Sequence, residues 1–463
     1  MPKPANATPA QKKALAQTVV LAQAEEIQQL MARFEAQPVT GEAVQQLEVL
    51  VRAALFKQAS VLVGLLLQAA ADRIDAAYQP KPGEARKDRV ALQVQGMFGS
   101  ATLQRDYYYH PGKRGGHYPA DAGLGLETGL TPALARLVCL EGADATGYQK
   151  AEQHLRETGG IVMEARQIQR VVQRIGPAAQ QWQEREAVPG AERPPILYLS
   201  PDGTGVPMRP EELAGRQGKQ ADGTSKTLQA YLGCAFTQHG RDEKGRPIRD
   251  YESTTYVSCL GPIGDFAPTL RREAIRRGLG NAGKVVFLVD GAEGLECLGR
   301  DYFPGAIQIV DFYHAMEHGS RVLVVVLGSK EHPDYKGRLR QWAKRLLKNG
   351  VEKLIAEVRQ ECAGKPTADA VEKELGYFVR NVARMQYGTF RKASFFIGSG
   401  VVEAGCKTVI GARCKQSGMR WGRPGAQSIL ALRCISASRR LNDFWKFRLN
   451  AHAARNDILP LAV

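Results

Sequence analysis

Three acidic residues far apart in the chain, Asp202, Asp290 and Glu403, have the type and setting for phosphoryl-transfer chemistry. Hydrolysis or transesterification of a phosphodiester needs an activated oxygen nucleophile, a stabilised phosphorane-like charge and a stabilised leaving oxygen. Two Mg²⁺ or Mn²⁺ ions about 4 Å apart supply all three. Such hard cations prefer oxygen ligands and keep some water, so a few carboxylates hold them. The acids are 88 and 113 residues apart, so only the fold can bring them together. Singly, each has an ordinary reading. An Asp before Gly at a strand end is commonly a turn residue, and a Glu in a first helical turn is commonly a capping charge. Their settings make the combination stronger. Ile196-Leu-Tyr-Leu-Ser runs into Asp202-Gly, and Lys284-Val-Val-Phe-Leu-Val runs into Asp290-Gly, each as a buried strand. Glu403 follows Ser399, a candidate N-cap, and opens the most basic stretch of the chain.

That stretch carries Lys407, Arg413, Lys415, Arg420, Trp421 and Arg423. Lys407 lies one helical turn beyond Glu403 and can pair with it. The other cations suit the neutralisation of phosphates, and Trp421 suits either stacking on an unpaired base or core packing. From 391 to 463 there are 13 Lys and Arg against three acids, a net +10 within a whole-chain charge of +16 on 463 residues. A concentrated basic block favours a polyanionic partner, here double-stranded DNA. The eight cysteines form no C-x-x-C pair, which argues against zinc fingers and a disulfide scaffold and for reduced thiols in a cytoplasm. No apolar signal core opens the chain. The apolar stretches 61–71 and 322–327 are too short to span a bilayer, so no membrane is expected.

The elements that must position these groups fall into five parts. Residues 1–85 read as a helical region, with a break at Pro38, Thr40 and Gly41. Residues 86–177 read as a β-hairpin over 88–109, a Gly-rich loop to Gly125 and three helices, the last two set as a helix-turn-helix. The third of these helices displays Arg166, Arg170 and Arg174, with Gln167, Gln169 and Gln173, toward phosphates and base edges. A polar linker follows over 178–194. Residues 195–314 read as β-β-β-α-β-α-β, the order of a ribonuclease-H-like catalytic core with a mixed five-stranded sheet, in the α/β class. An all-helical insertion over 315–395 precedes the second part of the core, 396–463, with its basic C-terminal region.

His314-Ala-Met-Glu317-His318 also fits H-x-x-E-H, the pattern of an inverted zinc-peptidase site. A zinc metallopeptidase would leave the basic block and the strand-end acids unexplained. A DNA-binding protein that derives from such a phosphoryl-transfer enzyme and is itself catalytically inactive is a second alternative.

Four segments together resemble the ISKra-type transposases of bacterial insertion sequences, over about residues 90–445: Asp202-Gly-Thr-Gly-Val-Pro-Met, Asp311-Phe-Tyr-His314, Ser399-Gly-Val-Val-Glu403-Ala-Gly-Cys-Lys and Gly418-Met-Arg-Trp421. The resemblance implies a DDE transposase, an endonuclease and polynucleotidyl transferase of transposable elements. Such an enzyme acts in DNA transposition and recombination at terminal inverted repeats, in the bacterial cytoplasm with the nucleoid. It implies two divalent ions and a homodimer or higher oligomer in a synaptic complex. Asp202 matches the first acid and Glu403 the third. Asp290 is taken as the second acid, with Asp311 the alternative. Asp311 and His314 resemble the D-x-x-H element that lies beside the catalytic centre in Mutator-like transposases.

Overall fold

The Ala- and Leu-rich start of the chain forms two long helices, α1 (Pro9–Glu35) and α2 (Gly41–Ala77), separated at the expected break. Thr40 caps α2 by accepting from the Ala43 amide at 3.1 Å. In the computed structural model the described residues are 9–186, 190, 192–215 and 225–454. The chain falls into two units, Met1–Ile175 with Asn442–Val463, and Gly176–Leu441.

In the first unit, β1 (Ala85–Gly96) and β2 (Gly99–Tyr109) form the expected hairpin, closed where Gly96 faces Gly99. The Gly-rich loop holds two short elements, β3 (Gly116–His117) and α3 (Pro119–Gly123). α2 lies against β2 through polar anchors. Gln68 donates to the Gln104 carbonyl and accepts from its amide, both at 2.8 Å, and Asp75 accepts from the Asp106 amide at 2.9 Å. By length and composition α2 could cross a bilayer: one window has a mean hydropathy of 1.7 and is only 11% buried. The sequence reading limited the apolar stretch to 61–71 and judged it too short, whereas the helix runs unbroken over Gly41–Ala77.

The three expected helices are α4 (Pro132–Asp144), α5 (Tyr148–Gly159) and α6 (Ala165–Glu184). α5 ends at Gly160, whose φ of 63° supplies the left-handed cap a tight turn requires. α6 continues past Pro177 into what the sequence suggested was linker, because Ala179, Trp182 and Gln183 remain buried along one face. Linker residues 187–189 and 191 lie outside the described residues, as do Arg455 and Asp457 of the basic C-terminal region.

The second unit is a mixed α/β fold. Its strands are β4 (Ile196–Pro207), β5 (Thr227–Arg241), β6 (Pro247–Arg249), β7 (Thr255–Leu260), β8 (Lys284–Val289) and β9 (Ile307–Val310). Helices α7 (Ile263–Arg276) and α8 (Glu293–Tyr302) lie between the last three strands. The sheet runs β6-β5-β4-β8-β9, with β7 also paired to β5. It has six strands rather than five, because the β5 hairpin extends far enough to pair the three-residue β6. β4 is antiparallel to β5 and parallel to β8, and β8 is parallel to β9. Leu197, Leu199, Phe287 and Val289 bury one sheet face against Phe266 and Leu270 of α7 and Leu295 and Leu298 of α8.

The expected helical block follows as α9 (Phe312–Leu327), α10 (Tyr335–Leu346), α11 (Val351–Cys362), α12 (Ala368–Asn381) and α13 (Tyr387–Lys392). α14 (Gly400–Gly405) then passes through a π-helical stretch, Cys406–Gly411, into α15 (Ala412–Cys414). α16 (Arg423–Ala437) closes the unit. α17 (Leu441–Ala454) groups almost wholly with the first unit, although the sequence attached it to the core. There Arg448 reaches buried Glu127.

Candidate active site

Strand pairing sets the acids in a row. Leu199 of β4 pairs with Phe287 of β8, so Asp202 and Asp290, each three residues further on, stand at the same level of two parallel strands. Val289 pairs with Val310 of β9, and Asp290 and Asp311 each follow by one residue. Side chains alternate along a strand. Asp202, Asp290 and Asp311 therefore share the face opposite the α7–α8 core, with Ser200, Leu288 and Ile309. Asp202 is not at a strand end. β4 continues beyond it because β5 pairs with it as far as Pro207, and Asp202 faces Leu232 across that ladder.

α14 brings the fourth acid. Gly405 permits a close approach: a Cβ there would lie 2.7 Å from the Tyr256 ring and 2.9 Å from Leu232. Ser399 does not cap the backbone of α14. Its hydroxyl donates to Glu403 Oε1 at 2.7 Å, which fixes that carboxylate. The thiol of Cys406, one turn beyond Glu403, donates to Asp202 and ties this helix to β4.

Asp311 is fully buried and caps α9. Its Oδ1 accepts from the His314 amide at 2.7 Å and from His314 Nδ1 at 3.1 Å, and its Oδ2 accepts from the Ser399 amide. Burial opposes its ionisation, but these hydrogen bonds outweigh burial and hold its carboxyl below the usual range. The same hydrogen bond raises His314 to about 9, so its ring is an imidazolium at neutral pH. His314 Nδ1 lies 4.0 Å from Glu403 Oε1, and the ring's charge is felt at both Asp202 and Asp290. The Asp202 carboxyl is pushed up, first by burial and then by the charge of Asp290. The Gly203 amide, the Cys406 thiol and the His314 charge oppose that shift.

Asp290 holds its turn by accepting from the Ala292 amide at 2.9 Å. The turn is seated from the helical block: Tyr377 of α12 donates to the Asp290 carbonyl at 2.7 Å. Gly291 has φ of 88°, and a Cβ on it would meet the Tyr377 hydroxyl at 2.8 Å, so this turn requires glycine.

Among the described residues, Asp311, His314 and Glu403 can bring ligand atoms within 4.8 Å of one another. Asp202 and Asp290 stand outside that tight group, although both share the electrostatic field of His314. Asp311 has its oxygens taken up by three N–H groups, and an imidazolium offers no lone pair to a cation. The carboxylates with the least protein hydrogen bonding are Asp290 and Glu403. His318 is not part of this group. It stacks on Tyr377 with ring centroids 3.6 Å apart, its Nδ1 buried without a partner, as a packing residue rather than a zinc ligand.

The basic residues divide by exposure. Lys407, Lys415 and Arg420 are exposed, and Arg423 is half-buried. No ion pair joins Lys407 to Glu403 among the described residues. The Glu403 oxygen is held by Ser399, and the widened winding from Cys406 changes the spacing the pair would need. Lys415 donates to the Thr204 hydroxyl, on the same strand and face as Asp202.

Arg413 is buried, which does not fit the phosphate-neutralising role expected of it, and Trp421 is buried, as core packing requires. Arg413 is 1% exposed, stacks on Trp421 and donates to the Met419 sulfur at 3.7 Å. Trp421 donates its indole N–H to the Cys414 carbonyl at 3.1 Å, and its backbone bonds Pro207 and Arg209 at the end of β4.

In the first unit Arg166 and Arg170 are exposed on α6, while Arg174 is ion-paired with Glu127 at 2.6 Å. A groove of about 790 Å³ runs between the β1–β2 hairpin and α6, lined by Gln93, Gln95, Gln167, Arg170 and Gln173 among others. Sequence reasoning picked out Ser399 as a helix cap rather than as the partner of Glu403, and gave no role to Cys406 or Tyr377. Only the Ser399-x-x-x-Glu403 spacing, one helical turn, carried a signal for any of them.

No family model matches the chain, and no curated protein matches it. Among solved structures it is similar to the Drosophila P element transposase strand transfer complex. That match is 12% identical and covers 71% of this chain and 81% of the other, with a TM-score of 0.25.

Proposed function

We propose that the chain is a DNA transposase of the DDE type, with a ribonuclease-H-like core in its second unit. The observation that supports this reading is that Asp202, Asp290 and Asp311 share one face of a mixed sheet, with the His314 ring 4.0 Å from Glu403 of α14 and interacting electrostatically with Asp202 and Asp290. The strand order, a three-stranded antiparallel meander followed by two parallel strands, supports the fold assignment.

The residues fit a pair of hard divalent cations. Asp202 is half-buried beside the charge of Asp290, and both desolvation and that charge raise its carboxyl, a shift that a nearby cation would oppose. Asp290 and Glu403 keep oxygens free of strong protein donors, and all three donors are carboxylates, as Mg²⁺ or Mn²⁺ prefers. Bound there, the cations would supply Lewis acidity on the scissile phosphate and its leaving oxygen.

The chain's own groups do the rest. Asp311 fixes the His314 ring and its proton, placing a permanent positive charge beside the acids. Ser399 orients Glu403, and Tyr377 seats the Asp290 turn. Lys407, Lys415 and Arg420 neutralise backbone phosphates near the cut. Water attacks the phosphate at the element end, breaking its P–O3′ bond to free a 3′-hydroxyl and leave a 5′-phosphate; that hydroxyl then attacks a target phosphate in the same site, forming the new P–O bond as the target's own 3′-oxygen leaves as a hydroxyl. Arg166 and Arg170 of α6 hold the element end, and Arg174 contributes less because Glu127 already engages it.

The test is cleavage of a supercoiled plasmid carrying the chain's gene with its flanking DNA, in Mg²⁺. Wild-type protein should cut at the element ends. Asp202→Asn, Asp290→Asn and Glu403→Gln should each abolish cutting while retaining DNA binding. Undiminished cutting by any one variant removes that residue from the triad, and undiminished cutting by all three ends the proposal.

A further inference from the structure

We infer that the second unit holds a separate docking cleft for the DNA backbone, where the β5–β6 hairpin meets the helical block. The inference rests on the reading of the chain as a DNA-processing enzyme. The cleft, about 450 Å³, is lined by Lys244 and Arg246 of the hairpin, Lys348 after α10, Arg391 and Lys392 at the end of α13, and Phe395. Five cations thus converge from three separate segments.

Their charge is scarcely offset. Asp242 in the hairpin turn offsets one of them: it accepts from the Lys244 amide at 3.0 Å, the Arg246 amide at 2.8 Å and Arg246 Nε at 2.7 Å, the last an ion pair. Glu243, at the hairpin tip, is exposed and does not line the cleft. Lys244, Lys348, Arg391 and Lys392 are exposed and make no ion pair among the described residues. Like charges gathered this way repel, so the arrangement is costly without an anion between them.

The walls are pinned rather than loose. The Ser394 hydroxyl donates to the Gly245 carbonyl at 2.9 Å, binding the hairpin to the segment after α13. Asn349 accepts from the Gly388 amide at 2.7 Å and donates to the Thr389 hydroxyl at 2.9 Å, binding the α10–α11 turn to α13. Both Asn349, at φ 61°, and Ser394, at φ 58°, adopt left-handed backbone conformations to do so. Strain of this kind persists where surrounding contacts fix it, and it concentrates at functional sites.

The cleft is within reach of a duplex engaged by the acids. Phe395 at its floor is four residues from Ser399, whose amide bonds Asp311, so the two are at most about 14 Å apart. Arg241, at the base of the hairpin turn, lies nine residues along β5 from Leu232, the partner of Asp202. At about 3.4 Å per residue that is roughly 30 Å. With about 3.4 Å of duplex per base pair, the near edge of the cleft would lie no more than about four base pairs from the cut and its hairpin side up to about nine. A phosphate-bearing backbone is therefore the ligand, and inorganic phosphate shares its chemistry.

The experiment uses the full chain and a triple variant, Lys348→Gln, Arg391→Gln and Lys392→Gln, all at exposed positions. A melting curve confirms that the variant folds. Binding of labelled duplexes reaching two or fifteen base pairs past the scissile phosphate, on either side, is measured across a salt series. The expected result is at least tenfold weaker binding of the longer duplex on one side, with its salt slope reduced by about 2 to 3, and unchanged binding of the short one. Equal binding of every duplex by wild type and variant overturns the cleft and leaves the catalytic proposal standing. Wild-type protein that binds no duplex overturns the catalytic proposal, and the cleft with it. Inorganic phosphate that raises the melting temperature of wild type alone, with duplex binding unchanged, also overturns the inference, because the cleft is then a small-anion site.

Discussion

Asp290 and Asp311 stand side by side at the strand ends, yet their surroundings predict opposite responses to the same substitution. Asp311 is fully buried and satisfies three N–H groups. Asn in its place keeps one carbonyl oxygen, which can still cap His314. Its amide nitrogen replaces the other oxygen and turns donor toward donor at the Ser399 amide. Two buried N–H groups then lack acceptors, at about 1–3 kcal/mol each, and the charged partner of the His314 ring is lost as well. The sum is about 4 kcal/mol. For a unit of this size that corresponds to a fall in Tm of roughly 8–16 °C.

Asp290→Asn keeps its acceptor for Ala292 and removes a like charge from beside Asp202. Its cost should be within about 0.5 kcal/mol of zero. Guanidinium unfolding and thermal melts of both variants, in chelator, read the contrast directly. Equal costs for the two, or a cost below about 1 kcal/mol for Asp311→Asn, would refute the division between a structural Asp311 and a ligand-free Asp290.

Trp421→Ala should destabilise the second unit by about 3–5 kcal/mol, because the ring is buried, hydrogen-bonded and stacked under Arg413; unfolding at the wild-type denaturant midpoint would return Trp421 to the surface. In the first unit, burial raises the Asp75 carboxyl above its ordinary value, and the charges of Asp106 and Asp72 add to this against the Asp106 amide and Arg89. A raised folded pKa means the ionised form costs stability, a cost relieved as pH falls through that pKa. Asp75→Asn should therefore raise the unfolding midpoint at neutral pH and leave it unchanged below about pH 3, and a benefit independent of pH would show that charge is not the cause.

Elements with one dominant signal were legible in the sequence. The unbroken apolar run of β8 falls at the expected residues, as does the hairpin with its Gly96 and Gly99 turn. Elements whose limits depend on tertiary pairing were not. Gly203 and Gly205 read as a turn after Asp202, but β5 pairs across them and keeps the chain extended. Pro177 reads as a helix stop, but the buried face of α6 continues past it.

Within the site, the apolar strand runs leading into Asp202 and Asp290 placed those two acids on neighbouring strands. Residue type could not show that Ser399 would bond Glu403 rather than cap a helix. Nor could it show that Arg413 would lie buried against Trp421, since a cation reads as solvent-facing until its aromatic partner is known. The cleft cations, drawn from three distant segments, left no local pattern at all.

The underwound passage from α14 to α15 sets a length constraint on the chain. Cys406 at its start contacts Asp202, and Lys415 just past its end contacts Thr204, so one rod touches β4 twice, two strand positions apart. Its broader coil over Cys406–Gly411 gives the second contact its bearing. Inserting a further residue there, with the wide turn already holding its extra one, would swing everything downstream by about 100°, carrying Lys415 off the strand and Trp421 out of its seat. Register, more than residue identity, is what this passage cannot surrender.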